Sequence, residues 1–144
     1  MNHVNKAKEL YEQGFYCSQA VLSAFADEIG LSEKQAFQVG SCFGGGMCKG
    51  EVCGACTGAL MVLGMKYGRY TVDDWDSQMK ANDITVRFLD LFSKQNGSYI
   101  CNELLGCDIA APEGKAYARE QKLFAEFCPE MVASAVKILE QLIE

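Results

Sequence analysis

The sequence predicts an all-α fold, a helical bundle of six or seven helices, on three observations. Apolar residues recur at helical spacing over long stretches; the stretch 53–67 is apolar on every face; and no run alternates with the period of two that a half-buried strand requires. Nothing in the pattern asks for a sheet.

Residues 1–13, MNHVNKAKELYEQ, are polar and receive no element, and the single histidine, His3, stands there on an end expected to be mobile. After a break at Gly14, residues 17–29 carry Ala20, Val21, Ala24, Phe25 and Ile29 on one face, until Gly30 stops the turn. Ser32 with Gln35 three residues on forms a Ser-x-x-Gln capping box that opens a short helix to about Val39. The stretch 40–50, GSCFGGGMCKG, must be a loop, because each glycine costs a helix about 1 kcal/mol relative to alanine.

From Cys53 to about Tyr67 runs a central helix, on which Gly54-x-x-x-Gly58 and Gly64-x-x-x-Gly68 leave flat spots for neighbouring backbones. Thr71 or Asp73 starts a long amphipathic helix carrying Ile84, Phe88, Leu91 and Phe92 and ending near Gln95-Asn96-Gly97. A short helix covers Cys101 to Leu105, another runs from Pro112 to about Phe124, and Pro129 opens the last. The stripe of that last helix is Met131, Val132, Ala135, Ile138, Leu139, Leu142 and Ile143. Trp75, Phe88, Phe92, Phe124 and Phe127 are expected in the core.

At 144 residues the chain matches one domain, 1–144, and its 49% hydrophobic content suffices for a core. Thirteen basic against nineteen acidic residues give a net charge of -6, with no basic cluster beyond Lys6 and Lys8, which argues against nucleic acid as a partner. The opening lacks the apolar core of a signal peptide, and the longest apolar run, Ala59 to Met65, is interrupted by Gly64 and far short of a membrane span. A soluble, cytoplasmic protein is expected.

Cysteine is the outlier, with eight at positions 17, 42, 48, 53, 56, 101, 107 and 128. A disulfide framework belongs to short secreted chains that cannot build a core, so metal binding, redox work or plain packing are the readings to weigh. Four of the eight, Cys17, Cys53, Cys101 and Cys128, fall at predicted helix starts. There the free N–H groups and positive helix end stabilise an anion, and a thiol can fall from a pKa near 8.5 to roughly 3.5–7.5. The thiolate is both the nucleophile of disulfide exchange and the form that binds metal, so the placement suits either chemistry.

Cys53-Gly-Ala-Cys56 is a C-x-x-C at a helix start, though without the βαβ context of thioredoxin. Cys48, Cys53 and Cys56 also give C-x4-C-x2-C, the plant-type [2Fe-2S] spacing. Zinc-ribbon spacing fails, while a zinc ion held by four distant cysteines stays open. There is no C-x-x-C-H for haem c, no P-loop, no G-x-G-x-x-G, and no second histidine to serve a Cys-His mechanism. Lys49 and Glu51 beside Cys53 are read as solvated loop charges, with a proton relay as the alternative.

Tyr16-Cys17-Ser18-Gln19-Ala20-Val21, the Phe43-Gly-Gly-Gly-Met47 loop, Cys53-Gly54-Ala55-x-x-Gly58, Asn96-Gly97-Ser98 before Cys101, and the late Cys128 together resemble the C_GCAxxG_C_C family of redox-active proteins, from about residue 6 to 140. The resemblance implies that the recurrent cysteines are Cys17, Cys53, Cys101 and Cys128, with Cys107 competing for the third place and Cys42, Cys48 and Cys56 additions of this sequence. The family is itself similar to part of the split-Soret cytochromes, which implies an iron-sulfur cluster by analogy but no haem here.

The expected activity is thiol-disulfide or electron-transfer chemistry at Cys17, Cys53, Cys101 and Cys128. A redox partner protein or a small-molecule thiol would serve as partner, and a homo-oligomer is compatible with it. The alternative is an iron-sulfur, [2Fe-2S], or zinc module with the same four cysteines as metal ligands and Gly54 and Gly58 letting the backbone close around the cofactor. The third reading is a helical interaction protein whose cysteines only pack.

Overall fold

The computed structural model describes residues 2–143 and is built of α-helices, with no strand among them. In chain order these are α1 (His3–Glu12), α2 (Cys17–Ala24), α3 (Ala26–Ile29), α4 (Glu33–Gly40), α5 (Gly54–Tyr67), α6 (Trp75–Asn96), α7 (Cys101–Leu105), α8 (Pro112–Glu120) and α9 (Cys128–Leu142), with wide turns at Gly46–Gly50 and Leu123–Phe127. Seven of them reach seven residues or more, close to the number expected. No helix among the described residues is long and apolar enough to cross a membrane.

Helix α5 lies at the centre because it has no polar face to give to water. Ala55, Cys56, Ala59, Val62 and Leu63 are all buried, and α2, α6 and α9 pack around them. The tightest approach is to α2, and it depends on Gly58: a Cβ there would stand 2.7 Å from the Ser18 carbonyl oxygen. Phe25, Phe88, Phe92, Ile138 and Leu139 fill the space between, each less than 2% exposed and each contributing about 1.5–3 kcal/mol by leaving water.

Helix α1 occupies a stretch to which the sequence reading gave no element. The Asn2 side chain accepts from the Asn5 amide at 2.8 Å to cap it, and Ala7 and Leu10 turn inward against α2 and α9. His3 is accordingly the first residue of a packed helix. Its ring stacks on Phe25 at 4.0 Å and bonds to Glu28 and, at 3.3 Å, to Glu140.

Three other boundaries differ. Residues 17–29 form two helices, because Phe25 leaves helical geometry at φ -110°, ψ 6°. The long helix starts at Trp75 behind an Asp74 cap whose carboxylate accepts from the Ser77 amide at 3.1 Å, and Trp75 lies outside the core, 59% exposed beneath the Arg69 guanidinium at 4.3 Å. The helix from Pro112 ends at Glu120, since Lys122 takes a left-handed φ of +57° and turns the chain into the wide turn Leu123–Phe127. Phe124 and Phe127 are therefore half-buried, not central. The Ser32–Gln35 capping box is present, with Gln35 N–H donating to Ser32 Oγ at 3.0 Å.

Candidate functional site: a cysteine-lined cavity

One end of the bundle encloses a cavity of about 360 Å³. Cys17, Cys53, Cys101 and Cys128 all line it, together with Cys48, Tyr11 and a wall of Phe15, Leu104, Leu105, Ile109, Phe124, Phe127 and Met131. Cys17 is the first residue of α2, Cys53 immediately precedes α5, Cys101 opens α7 and Cys128 opens α9. Folding thus gathers sulfurs from four elements. Cys42, Cys56 and Cys107 are not on the wall, and all eight cysteines are free thiols.

Local sequence fixes each start. Tyr16 N–H donates to Gln19 Oε1 at 2.9 Å, holding the first turn of α2. The starts of α5 and α7 are clamped together by an isolated antiparallel bridge, Val52 with Ile100, in which Cys53 N–H donates to Tyr99 O at 2.8 Å and Cys101 N–H donates to Glu51 O at 2.6 Å. The turn before α7 is closed by Ser98, whose hydroxyl accepts from the Ile100 amide and donates to Glu103 Oε1 at 2.8 Å. Gly54 supplies the room: a Cβ on it would stand 2.4 Å from Cys17 Sγ. Gly58, expected beside it at the site, instead lies beneath the Ser18 backbone and serves helix packing.

The loop 40–50 carries a left-handed helical turn. Gly45, Gly46, Met47 and Cys48 have φ of 62°, 59°, 58° and 61° in succession. The two glycines adopt this freely, whereas Met47 and Cys48 each cost roughly 1–2 kcal/mol. That turn puts Cys48 at the cavity on the same wall as Cys53, its neighbour in the C-x4-C spacing, although the family resemblance set it aside as an addition of this sequence. Tyr11 was missed with α1, and its hydroxyl donates to Phe124 O at 2.7 Å across the cavity.

The acidity of the thiols runs opposite to the expectation from helix starts. For Cys17, the hydrogen bond with the Cys53 thiol and then burial push the pKa well up, against weaker help from the Gly45 and Ser18 amides. At Cys53 the hydrogen bond with Cys17 favours the thiolate, but interaction with Cys56 and burial outweigh it and the net shift is upward. Cys101 is pushed up to about 12 by burial and then by the charges of Cys17, Cys128 and Cys107, and Cys128 to about 11 by burial and then Cys17, despite its hydrogen bond with Tyr11. Burial and the charges of Cys128 and Cys17 raise Tyr11 as well. An apolar wall and neighbouring sulfurs penalise the anion more than a helix end rewards it.

For the ligand alternative, three or four sulfurs must surround one point. Among the described residues, no group of three or more His, Cys, Asp or Glu is arranged to hold a metal ion. The C-x4-C-x2-C set is split likewise, with Cys48 exposed at the rim and Cys56 buried behind the wall.

Fold and site together define a small all-α protein built around a cysteine-lined cavity. The family described as "Putative redox-active protein (C_GCAxxG_C_C)" matches residues 15–142, nearly the whole chain. The protein belongs to that family. No curated protein and no solved structure matches the chain.

Proposed function

We propose that this chain is a thiol redox protein in which Cys53 and Cys17 exchange with a disulfide, and Cys101 and Cys128 complete the cavity as a second thiol pair. The observation that carries the reading is the convergence of Cys17 and Cys53 on the wall of one apolar cavity, with Cys17 Sγ set against Gly54, the residue that follows Cys53. As the first cysteine of the C-x-x-C at the start of α5, Cys53 takes the position of the attacking thiol, and Cys17, on the same cavity wall, is assigned resolution.

Attack of the Cys53 thiolate on R–S–S–R forms a mixed disulfide and releases one thiolate, which takes up the proton that Cys53 gave up. Cys17 then attacks the Cys53 sulfur, closing the Cys17–Cys53 disulfide and releasing the second thiol with the proton of Cys17. The protein is oxidised by two electrons and the small disulfide is reduced by two. The family's redox description supports this class of chemistry.

The test is peptide mapping after exposure to 2-hydroxyethyl disulfide. A Cys17–Cys53 linkage is expected, lost in Cys53→Ala and kept in Cys42→Ala. Eight free thiols after oxidation overturn the reading. Iron and sulfide, or zinc, in stoichiometric amount after anaerobic purification would assign the same sulfurs to the ligand alternative instead.

A further inference from the structure

The cavity wall is apolar except on one lip. Among the described residues, the only charged side chains lining it are Lys115 and Arg119, and no carboxylate does. The two lie four residues apart on α8, so they project from one face. Buried Ala118 seats that helix in the same small cluster as Leu105 and Ile109. Neither cation has an ion-pair partner: the pairs among described residues join His3 to Glu28 and Glu140, and Lys8 to Glu130. In a chain with nineteen acidic and thirteen basic residues, a cavity wall that carries two cations and no carboxylate reverses the overall sign of charge.

We infer that the cavity takes a small organic disulfide bearing an anionic group, carboxylate, sulfonate or phosphate, held at Lys115 and Arg119 while its sulfur–sulfur bond reaches Cys53. This rests on the thiol redox reading and names its substrate class. A volume of about 360 Å³ sits at the low end of small-molecule pockets and suits a disulfide with short arms over a folded protein partner. The charge argument is discriminating, because the net charge of -6 by itself repels anions and attracts cations. A preference for anions must come from the lip.

Three disulfides with the same two-carbon arms separate the cases: 3,3′-dithiodipropionate (anionic), 2-hydroxyethyl disulfide (neutral) and cystamine (cationic). At low ionic strength the rate of Cys17–Cys53 oxidation should fall in that order, about tenfold from first to last, and the spread should shrink in about 0.5 M salt. In K115Q/R119Q the ratio of anionic to neutral rates should collapse toward one. Suberate, the dicarboxylate with two methylenes in place of the sulfurs, should bind the wild-type protein by calorimetry and lose that binding in the double variant. The inference is overturned by an absence of suberate binding, or by an anion preference that survives K115Q/R119Q. Failure of every disulfide to oxidise the thiols while suberate still binds would remove the redox reading and leave the anion site standing.

Discussion

The two sides of the cavity are built differently. On one side α2 and α5, with α6 and α9 behind them, present Cys17 and Cys53 from a core whose aromatic and aliphatic side chains are almost entirely buried. On the other, Cys101 is held by a small cluster of Leu105, Ile109 and Ala118, with Cys128 packed against it. That smaller side is tied to the rest by the Val52–Ile100 bridge and the Tyr11–Phe124 hydrogen bond. The difference teaches that Cys17 and Cys53 are carried by the large core, while the wall that covers them has the composition of a region that opens locally.

The largest effect should come from the large core. Phe88→Ala is expected to lower unfolding free energy by about 3–5 kcal/mol in urea denaturation, because a fully buried ring leaves a cavity that cannot collapse. Ile109→Ala removes one of the few apolar groups of the small side. It should cost about 2 kcal/mol, felt mainly as faster hydrogen exchange over residues 101–120 with α5 and α9 amides little changed. Equal acceleration of exchange in both regions by either variant would erase the distinction between the two sides.

What the sequence made legible follows the same division. The large core was readable because its helices bury continuous stripes: 54–67 emerged from having no polar face, and the last helix from its 3.6-residue period. Helix starts were readable too, so all four cysteines were placed at the ends of elements. Their acidity was not, because helix-end electrostatics is local while desolvation depends on which residues from elsewhere form the wall. Cys48 was named in the C-x4-C-x2-C spacing and then set aside as an addition; what escaped is the left-handed turn, adopted by two non-glycine residues against their own preference, that brings it to the cavity. The break at Lys122 escaped for the same reason. Trp75 was misread as core because an indole is apolar, although Arg69 covers its face at the surface.

A smaller effect probes the electrostatics of the two walls. Cys101 and Cys128 bind their protons more tightly in the folded state, with pKa values of about 12 and about 11, than the ordinary thiol value of 9.0. The folded state therefore holds more protons than the unfolded chain above pH 9, and stability must fall as pH rises. Below about pH 9 this contribution is complete; it is lost progressively as pH climbs toward 11–12. The melting temperature should begin to drop near pH 9, and the slope should be shallower in C101S/C128S, whose hydroxyls do not titrate there. An unchanged slope would place the alkaline loss elsewhere.

The smallest effect lies within α2 itself, where two buried serines make opposite use of the same group. Ser18 Oγ donates to Gly40 O at 2.7 Å and so ties α2 to the end of α4, whereas Ser23 Oγ is buried with no hydrogen-bond partner. Removing the first takes the shorter of two hydrogen bonds from a carbonyl that keeps only the Phe43 amide at 3.3 Å, so Ser18→Ala should cost about 1 kcal/mol. Removing the second discards a hydroxyl that lost water and gained nothing, so Ser23→Ala should stabilise the protein by about 1 kcal/mol. Thermal melts of the two variants should therefore shift in opposite directions. A destabilised Ser23→Ala would mean that its hydroxyl is satisfied in solution, and that the large core is less dry than its packing indicates.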